Sequence, residues 1–339
     1  MSIETSSIGP QWPPERSSFG RIKGIDNRKP ISTKELLLED IGAVNELIAT
    51  INSHPDGVSR LSIRLVVEDT LLKQNYGLIR SLGEVIIPLF GTQSNLDETD
   101  IVYLAHNSSE RISNPKDLAY AKGNLAAALT RIPLSCKTTL ERAKRGGYDL
   151  KVLSMQERSH DEPVQNQMSD LYARFGWETG QVMELLQNSA NIIAVALCGE
   201  LIVSAGVAET SKVDFETEQY LVMTELTEAA TRAEHQGKGL YTAVAATLMR
   251  ELADNGSNGN KIGLVFGECN GLAGGVLNAA KSLGRTISVE TIEHWKAPFS
   301  GYLQQHVPIE TPSYERATEY NDLFPAFISR DGLNRFVNS

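Results

Sequence analysis

A glycine-rich stretch directly before a long helical segment carries the clearest chemistry in this sequence. It spans Gln236 to Tyr241, "QGKGLY", and the helical pattern continues to Leu252. The first amides of a helix have no partner within the helix, and the helix dipole places positive charge at that end. A glycine turn that leads into a helix therefore indicates anion binding, most often of a phosphate. Glycines also serve ordinary turns, so this motif is weak by itself.

The elements that must position this loop begin after Gly147. The sequence predicts a strand, two helices, two strands that turn at Gly199, and a further strand, "QYLVMTELTEAAT". Asp161 is the predicted N-cap of the first helix. The loop and its helix follow, and then a strand, a helix and the closing strand "TISVETIEHW". This order predicts an α/β domain.

The element order and the loop together resemble the GNAT acyltransferase superfamily, over about residues 148–295 and potentially the tail. The family loop is Gln/Arg-x-x-Gly-x-Gly/Ala; Gln236 and Gly239 match it, whereas Tyr241 departs from the final small residue. The resemblance implies a mixed sheet flanked by helices. It also implies acetyl-CoA or another acyl-CoA as co-substrate, with the pyrophosphate on the loop amides and no metal.

The resemblance further implies residue roles. In one branch of the family a Glu eleven residues before the loop acts as general base, and Glu225 stands eleven residues before Gln236. An amine is protonated at neutral pH and must lose a proton before it attacks a thioester. Glu228 would face the opposite side of a regular strand, and a structural role for Glu225 is the alternative. The residues predicted to bind the donor are Ala229, Ala230, Thr231, Gln236, Gly237, Lys238, Gly239, Leu240 and Tyr241.

The last helix lacks a residue that family members commonly have. That residue is a Tyr that protonates the departing thiolate, and Ala280 occupies its position here. Three explanations stay open. Another residue, such as Tyr241 or Cys269, protonates the thiolate. Alternatively, the thiolate leaves without a proton donor, since the pKa of its thiol is roughly 8.5, or the domain has lost activity. Cys269 as a covalent nucleophile has no paired His in the sequence.

Acceptor selection in this family falls to the loop between the first two helices and to the last strands. An aromatic wall with one carboxylate would suit a small amine or amino acid. Core packing is the alternative for each residue. The candidates are Tyr172, Phe175, Trp177, Glu178, His294, Trp295 and Tyr302.

Composition limits the other function classes. A net charge of −10 argues against a nucleic-acid partner. The sequence shows no secretion signal and no apolar run of the roughly 20 residues that span a membrane, so we expect a cytoplasmic protein without a membrane partner. The three cysteines have no metal-binding or disulfide-framework spacing, so we expect buried small side chains.

Three regions are predicted along the chain. Residues 1–30 lack apolar periodicity and predict an irregular arm. Residues 31–147 predict an α/β N-terminal domain of unknown role, which opens with a helix whose capping box is Ser32 and Glu35. Residues 148–339 form the predicted GNAT-like domain.

The leading interpretation is an N-acyltransferase, most simply an N-acetyltransferase, with direct attack of a small amine in a ternary complex. A non-catalytic sensor or scaffold that binds acyl-CoA or a metabolite is one alternative, which the missing tyrosine keeps open. A nucleotide-binding α/β enzyme is less supported, because the glycine turn after "KIGLVFGECN" lacks G-x-G-x-x-G. The expected partner is the amine acceptor, and a homodimer is compatible with the sequence.

Overall fold

The computed structural model describes residues 31–38, 41–52, 60–68, 74–75, 77–79, 84–89, 99–107, 115–174, 177–214, 220–256, 262–287, 292–295 and 320–339. The irregular arm predicted for residues 1–30 lies outside these ranges. The chain divides into two compact units. Of the described residues, those up to Asn107 belong to the first unit and those from Pro115 onward to the second.

The first unit contains a four-stranded mixed sheet. Its elements are β1 (Ile31–Leu38), α1 (Ile41–Asn52), β2 (Arg60–Glu68), β3 (Glu84–Leu89) and β4 (Thr99–Asn107). The strand order is β1-β2-β4-β3, with β1 parallel to β2 and the other neighbours antiparallel. The parallel pair is joined through α1, as parallel strands require a crossover connection.

The helix predicted from Ser32 begins later than expected. Ser32 and Glu35 lie in β1, opposite Leu61 and Arg64 of β2, so the predicted capping box is wrong. The helix begins at Ile41 instead. A capping pattern is a local signal, and here the parallel ladder with β2 supplies hydrogen-bond partners for the same backbone groups.

The second unit contains a larger α/β arrangement. Its elements are α2 (Pro115–Leu129), α3 (Cys136–Arg145), β5 (Asp149–Val152), α4 (Met155–His160), α5 (Glu162–Ala173), α6 (Thr179–Gln187), β6 (Asn191–Cys198), β7 (Leu201–Asp214), β8 (Tyr220–Thr231), α7 (Leu240–Asn255), β9 (Leu264–Asn270), α8 (Gly274–Ser282), β10 (Thr286–Ile287), β11 (Ile292–Trp295), β12 (Tyr320–Ser329) and α9 (Arg330–Val337). The N-cap role predicted for Asp161 is confirmed, because its side chain accepts a hydrogen bond from the amide of Val164.

The sheet of the second unit has the order β10-β12-β9-β8-β7-β6-β5, and β11 also pairs with β12. Strands β8 and β9 run parallel, whereas the other neighbours are antiparallel. The predicted mixed sheet flanked by helices is therefore confirmed. Strand β12 and helix α9, which the sequence patterns did not predict, contribute Ile328, Leu333 and Phe336 to the core.

Helices cover both faces of this sheet. Ile193 and Val207 lie on the face that packs against α5 and α6. Ala194 and Val203 lie on the opposite face, which packs against α7. The alternation follows from the two-residue period of a strand, and it separates two chemical environments on either side of the sheet.

Helices α2 and α3 belong to the second unit, so the division falls before them and not at the predicted residue 147. Helix α2 packs on α8 through Ala121 and Leu125, which share a cluster with Leu277. The amide nitrogen Nδ2 of Asn124 donates to the carbonyl of Gly271 at 2.8 Å. These contacts join α2 to the end of β9 and to α8.

Helix α3 packs under α7 through Cys136 and Ala143. Two consecutive glycines end this helix: Gly146 is its C-cap, and Gly147 has a φ of 83°. Of the three cysteines expected to be buried, Cys136 and Cys269 are buried, whereas Cys198 is exposed near a strand turn. No helix in the described part of the chain combines the length and the apolar character that crossing a membrane requires.

Candidate active site

The glycine loop leads into α7 with open backbone donors. Gly237 and Gly239 have φ angles of 72° and 77°, which residues with a side chain rarely adopt. Gly239 is the N-cap of α7, and no side chain caps the helix. Among the described residues, the amides of Lys238, Gly239 and Leu240 have no hydrogen-bond partner. An uncapped helix end of this kind is suited to bind an anion.

Gln236 shapes the loop. Its Nε2 donates to the carbonyl of Thr231 at 3.1 Å, and its backbone amide donates to the carbonyl of Ala233 at 3.2 Å. Beside it, the hydroxyl of Tyr148 lies 3.0 Å from Nδ1 of His235. The contacts tie the loop to the end of β8 and to the start of β5. Gln236, predicted to bind the donor, thus holds the loop in place.

Strands β8 and β9 separate after a short parallel pairing. Residues 223–225 of β8 pair with residues 264–266 of β9, and the described ladder between the two strands ends at Glu225 and Phe266. On its other edge, β9 stays paired with β12 as far as Asn270. A slot therefore opens in the middle of the sheet. It opens at the carboxyl end of β8, the end from which the chain continues into the glycine loop.

A β-bulge displaces β8 beside this slot. The register with β7 shifts between Ala205 and Val207, where β8 has one extra residue. Glu228 lies in the bulge with a φ of 46°, and the hydroxyl of Tyr172 donates to its carbonyl oxygen at 2.6 Å. The expectation that Glu228 faces away from Glu225 assumed a regular strand, and the bulge removes that assumption.

Glu225 lies where β8 and β9 separate, and it is only 4% exposed. Its register partner on β7 is Glu209, which in turn pairs with Asn191 on β6. Paired residues present their side chains on one face. Asn191 shares the face of Ile193, which packs against α5 and α6. Glu225 and Glu209 therefore lie side by side on the α5 and α6 face.

The predicted donor segment Ala229, Ala230 and Thr231 ends β8 next to the loop. Ala230 is buried and its carbonyl accepts a hydrogen bond from Oγ of Ser204 at 2.9 Å. Thr231 has its hydroxyl 2.8 Å from the same Ser204 oxygen. These bonds fix the edge of β8 toward β7 and leave its other edge bordering the slot.

The residues predicted to select the acyl acceptor have different positions and contacts. Tyr172 is buried and holds the bulge, and its ring lies 5.2 Å from that of Trp177 at an angle of 40°. Glu178 precedes α6, and its amide donates to Oε1 of Gln181 at 2.9 Å. His294 and Trp295 lie in β11. Phe175 and Tyr302 lie outside the described residues.

The two residues proposed to replace the missing tyrosine differ in setting. Tyr241 lies half-buried in the first turn of α7. Cys269 is 1% exposed, and its burial raises the pKa of the thiol against the opposing effect of the Arg285 charge. A raised pKa disfavours the thiolate, which is the nucleophilic form. The structure thus offers no support for Cys269 as a nucleophile.

No protein-family model and no curated protein matches the sequence. Solved structures similar to this chain include the ribosomal-protein-S18-alanine N-acetyltransferase of Escherichia coli, 12% identical over 54% of this chain and 93% of that chain, with a TM-score of 0.36. YncA of Salmonella typhimurium, solved with its cofactor acetyl-CoA, is 13% identical over 55% and 95% of the two chains, with a TM-score of 0.36.

A third similar structure is the aminoglycoside acetyltransferase meta-AAC0020 from an uncultured soil metagenomic sample. It is 14% identical over 37% of this chain and 79% of that chain, with a TM-score of 0.29. Structural similarities with TM-scores this low are not evidence for function. The element order and mixed sheet implied by the GNAT resemblance are present in the strand topology itself.

Proposed function

We propose that this chain is an N-acyltransferase that moves an acyl group, most simply acetyl, from acyl-CoA to a small amine. The observation that carries the proposal is the slot between β8 and β9. It begins beside the buried carboxylate of Glu225 and opens toward the uncapped end of α7. A candidate base, the edge of β8 beyond its ladder with β9 and a candidate anion site therefore follow one another along the chain.

The residues around the slot fit coenzyme A. The partnerless amides of Lys238, Gly239 and Leu240 suit its pyrophosphate, because they lie at the positive end of a helix dipole. The edge of β8 beyond the end of its ladder with β9 suits the amide groups of the pantetheine arm, which would add to it as a strand does. When bound, the donor supplies an acyl group activated as a thioester.

Glu225 takes the role of base in this proposal. Its carboxylate accepts the proton that the amine must lose, and its position at the start of the slot supports this role. Glu209 adds a second carboxylate on the same face. Two acidic side chains favour the approach of a cationic acceptor over an anionic one.

The test compares wild type with Glu225→Gln in thiol release from acetyl-CoA across a library of small amines. Loss of a general base should lower kcat by about 10²–10⁴-fold and leave coenzyme A affinity unchanged. Glu200→Gln, at the exposed turn between β6 and β7, is the matched control and should retain wild-type turnover. Wild-type turnover in Glu225→Gln would remove Glu225 as the base.

A non-catalytic acyl-CoA sensor is the second candidate, and the buried Ala280 at the position of the tyrosine favours it. A thermal-shift series with acetyl-CoA, longer acyl-CoA esters and NAD separates the classes. Stabilisation by a CoA ester without turnover of any amine would support the sensor. If only NAD stabilises the protein, both CoA proposals fail in favour of a nucleotide enzyme.

A further inference from the structure

Arg285 is a buried arginine with unpaired donors, and none of the roles above uses it. Its side chain is 1% exposed. Nη2 donates to the carbonyl of Gly267 at 3.5 Å and to the carbonyl of Ala326. Nε and Nη1 are buried and have no partner among the described residues. A buried charged group with unpaired donors is costly, so its presence requires an explanation.

The guanidinium lies where β8 and β9 separate. A Cβ atom added to Gly267 would lie 2.9 Å from Nη2 of Arg285 and 2.6 Å from the carbonyl oxygen of Leu226. Leu226 directly follows Glu225, and Gly267 directly follows Phe266, the register partner of Glu225. Arg285 therefore reaches the start of the slot, and the absence of a side chain at Gly267 makes the room for it.

Arg285 and Glu225 approach this point from opposite faces. Gly267 has the strand parity of Val265 and Cys269, which pack on the α7 and α8 side. Its missing Cβ, and hence the guanidinium that borders it, lies on that side. Glu225 lies on the α5 and α6 side. Glu225 and Arg285 thus border the start of the slot from opposite faces of the sheet.

Arg285 is also adjacent to the position of the missing tyrosine. Its backbone amide donates to the carbonyl of Ala280 at 3.1 Å. Ala280 is buried and has no polar side-chain atom. The cation at the end of α8 is favoured by the negative end of that helix dipole. The helix therefore lacks a polar side chain at Ala280, and Arg285, whose amide is bonded to Ala280, carries a polar side chain.

Resting on the acyltransferase function above, we propose that Arg285 stabilises the thiolate of the departing coenzyme A. The amine nitrogen forms a bond to the acyl carbon, the bond from carbon to sulfur breaks, and its electron pair stays on sulfur. The proton of the amine passes to Glu225. Nε and Nη1 of Arg285 donate hydrogen bonds to the thiolate, and Arg285 transfers no proton in this step.

Arg158 provides a matched control. It is 4% exposed, and its Nε is likewise buried without a partner among the described residues. Its Nη1 donates to the carbonyls of Asn188 and Asn191 at 3.3 Å and 2.9 Å. It lies in α4, which packs against α5 and α6 and not beside the slot. Arg158→Met therefore reports the general cost of removing a buried arginine.

The experiment measures the ionisation of coenzyme A bound to the full-length chain. Free coenzyme A and desulfo-coenzyme A, which lacks the sulfur, are titrated calorimetrically between about pH 6 and about pH 10, across the ordinary thiol pKa. In wild type, coenzyme A should bind more tightly as its thiol ionises. In Arg285→Met this gain should fall by about tenfold, a loss of roughly 1.4 kcal/mol, whereas desulfo-coenzyme A binding should stay unchanged.

Arg285→Lys keeps the charge but lacks the planar guanidinium. Its gain in coenzyme A affinity on thiol ionisation should lie between those of wild type and Arg285→Met. This variant also provides the test if Arg285→Met fails to fold. Arg158→Met should match wild type. An equal pH dependence of coenzyme A binding in wild type and in a folded Arg285 variant would overturn the inference, with the proposed function intact. If neither ligand binds wild type at any pH, the acyl-CoA function itself fails.

Discussion

At the scale of single residues, the proposals depend on two charged side chains, Glu225 and Arg285, which border the start of the slot. The spacing between Glu225 and Gln236 is a local feature that the chain displays directly. Arg285 matters because of Gly267 and Leu226, which lie on two other strands, and no spacing rule links the three. Buried polar groups are set by tertiary contacts, and the sequence shows only their chemical type.

A single carboxylate gives the clearest pH dependence. A hydrogen bond from Lys151 and further ones from the amide and hydroxyl of Ser154 lower the pKa of Glu157 from 4.5 to about 2. A folded pKa below the unfolded value adds stability above about pH 4.5 that is lost as pH falls toward about 2. Glu157→Gln should therefore lower the Tm at neutral pH and approach wild type in acid.

The measurement is thermal unfolding by circular dichroism across a pH series, with Glu200→Gln as a control at an exposed turn. The difference between wild type and Glu157→Gln should narrow between about pH 4.5 and about pH 2. A difference that keeps its full size at the acid end would show that the Lys151 contact does not act through the charge of Glu157.

Most elements of the second unit follow from their periodicity, and the exceptions have physical causes. Helices α5, α6 and α7 and strands β6 to β9 lie where the patterns predict them. The bulge at Glu228 has no pattern of its own, since it depends on the register between β7 and β8 and on the hydroxyl of Tyr172. The segment with a helix-start pattern forms strand β1, because it pairs with β2 along its whole length.

The turn into α7 predicts opposite effects for two glycine substitutions. Gly239→Ala places a side chain at a φ of 77°, which costs about 1–2 kcal/mol of folding free energy. Gly123→Ala changes an exposed position inside α2 with open space around it, and should stabilise by about 0.5–1 kcal/mol. Urea unfolding compares both with wild type. Destabilisation of both variants by similar amounts would mean that the left-handed cap is not what Gly239 provides.

At the scale of the whole molecule, the second unit needs residues that precede the GNAT-like stretch. Helix α2 covers Leu277 and Phe324, and α3 contributes Cys136 and Ala143 to the core beneath α7. Among the described residues, the N-terminal border of this unit therefore lies between Asn107 and Pro115. Tertiary packing assigns these two helices to a unit, and no local sequence pattern shows that assignment.

This division predicts the behaviour of two truncated chains. Residues 112–339 should unfold cooperatively in urea, because every described helix that packs on the large sheet is retained. Residues 148–339 should lack a cooperative transition and bind a hydrophobic dye, because the apolar faces under α2 and α3 become exposed. A sharp urea transition in the shorter chain would contradict the packing of α2 and α3.

Strand β12 also constrains how the protein is made. Its pairing partner β9 ends at Asn270, whereas β12 begins at Tyr320, so the ribosome must complete the intervening segment before the two can meet. Until then, β9 has only its short pairing with β8 and one bare edge. Nascent chains in this interval are the species most prone to aggregate, and slower synthesis at low temperature should raise the soluble yield.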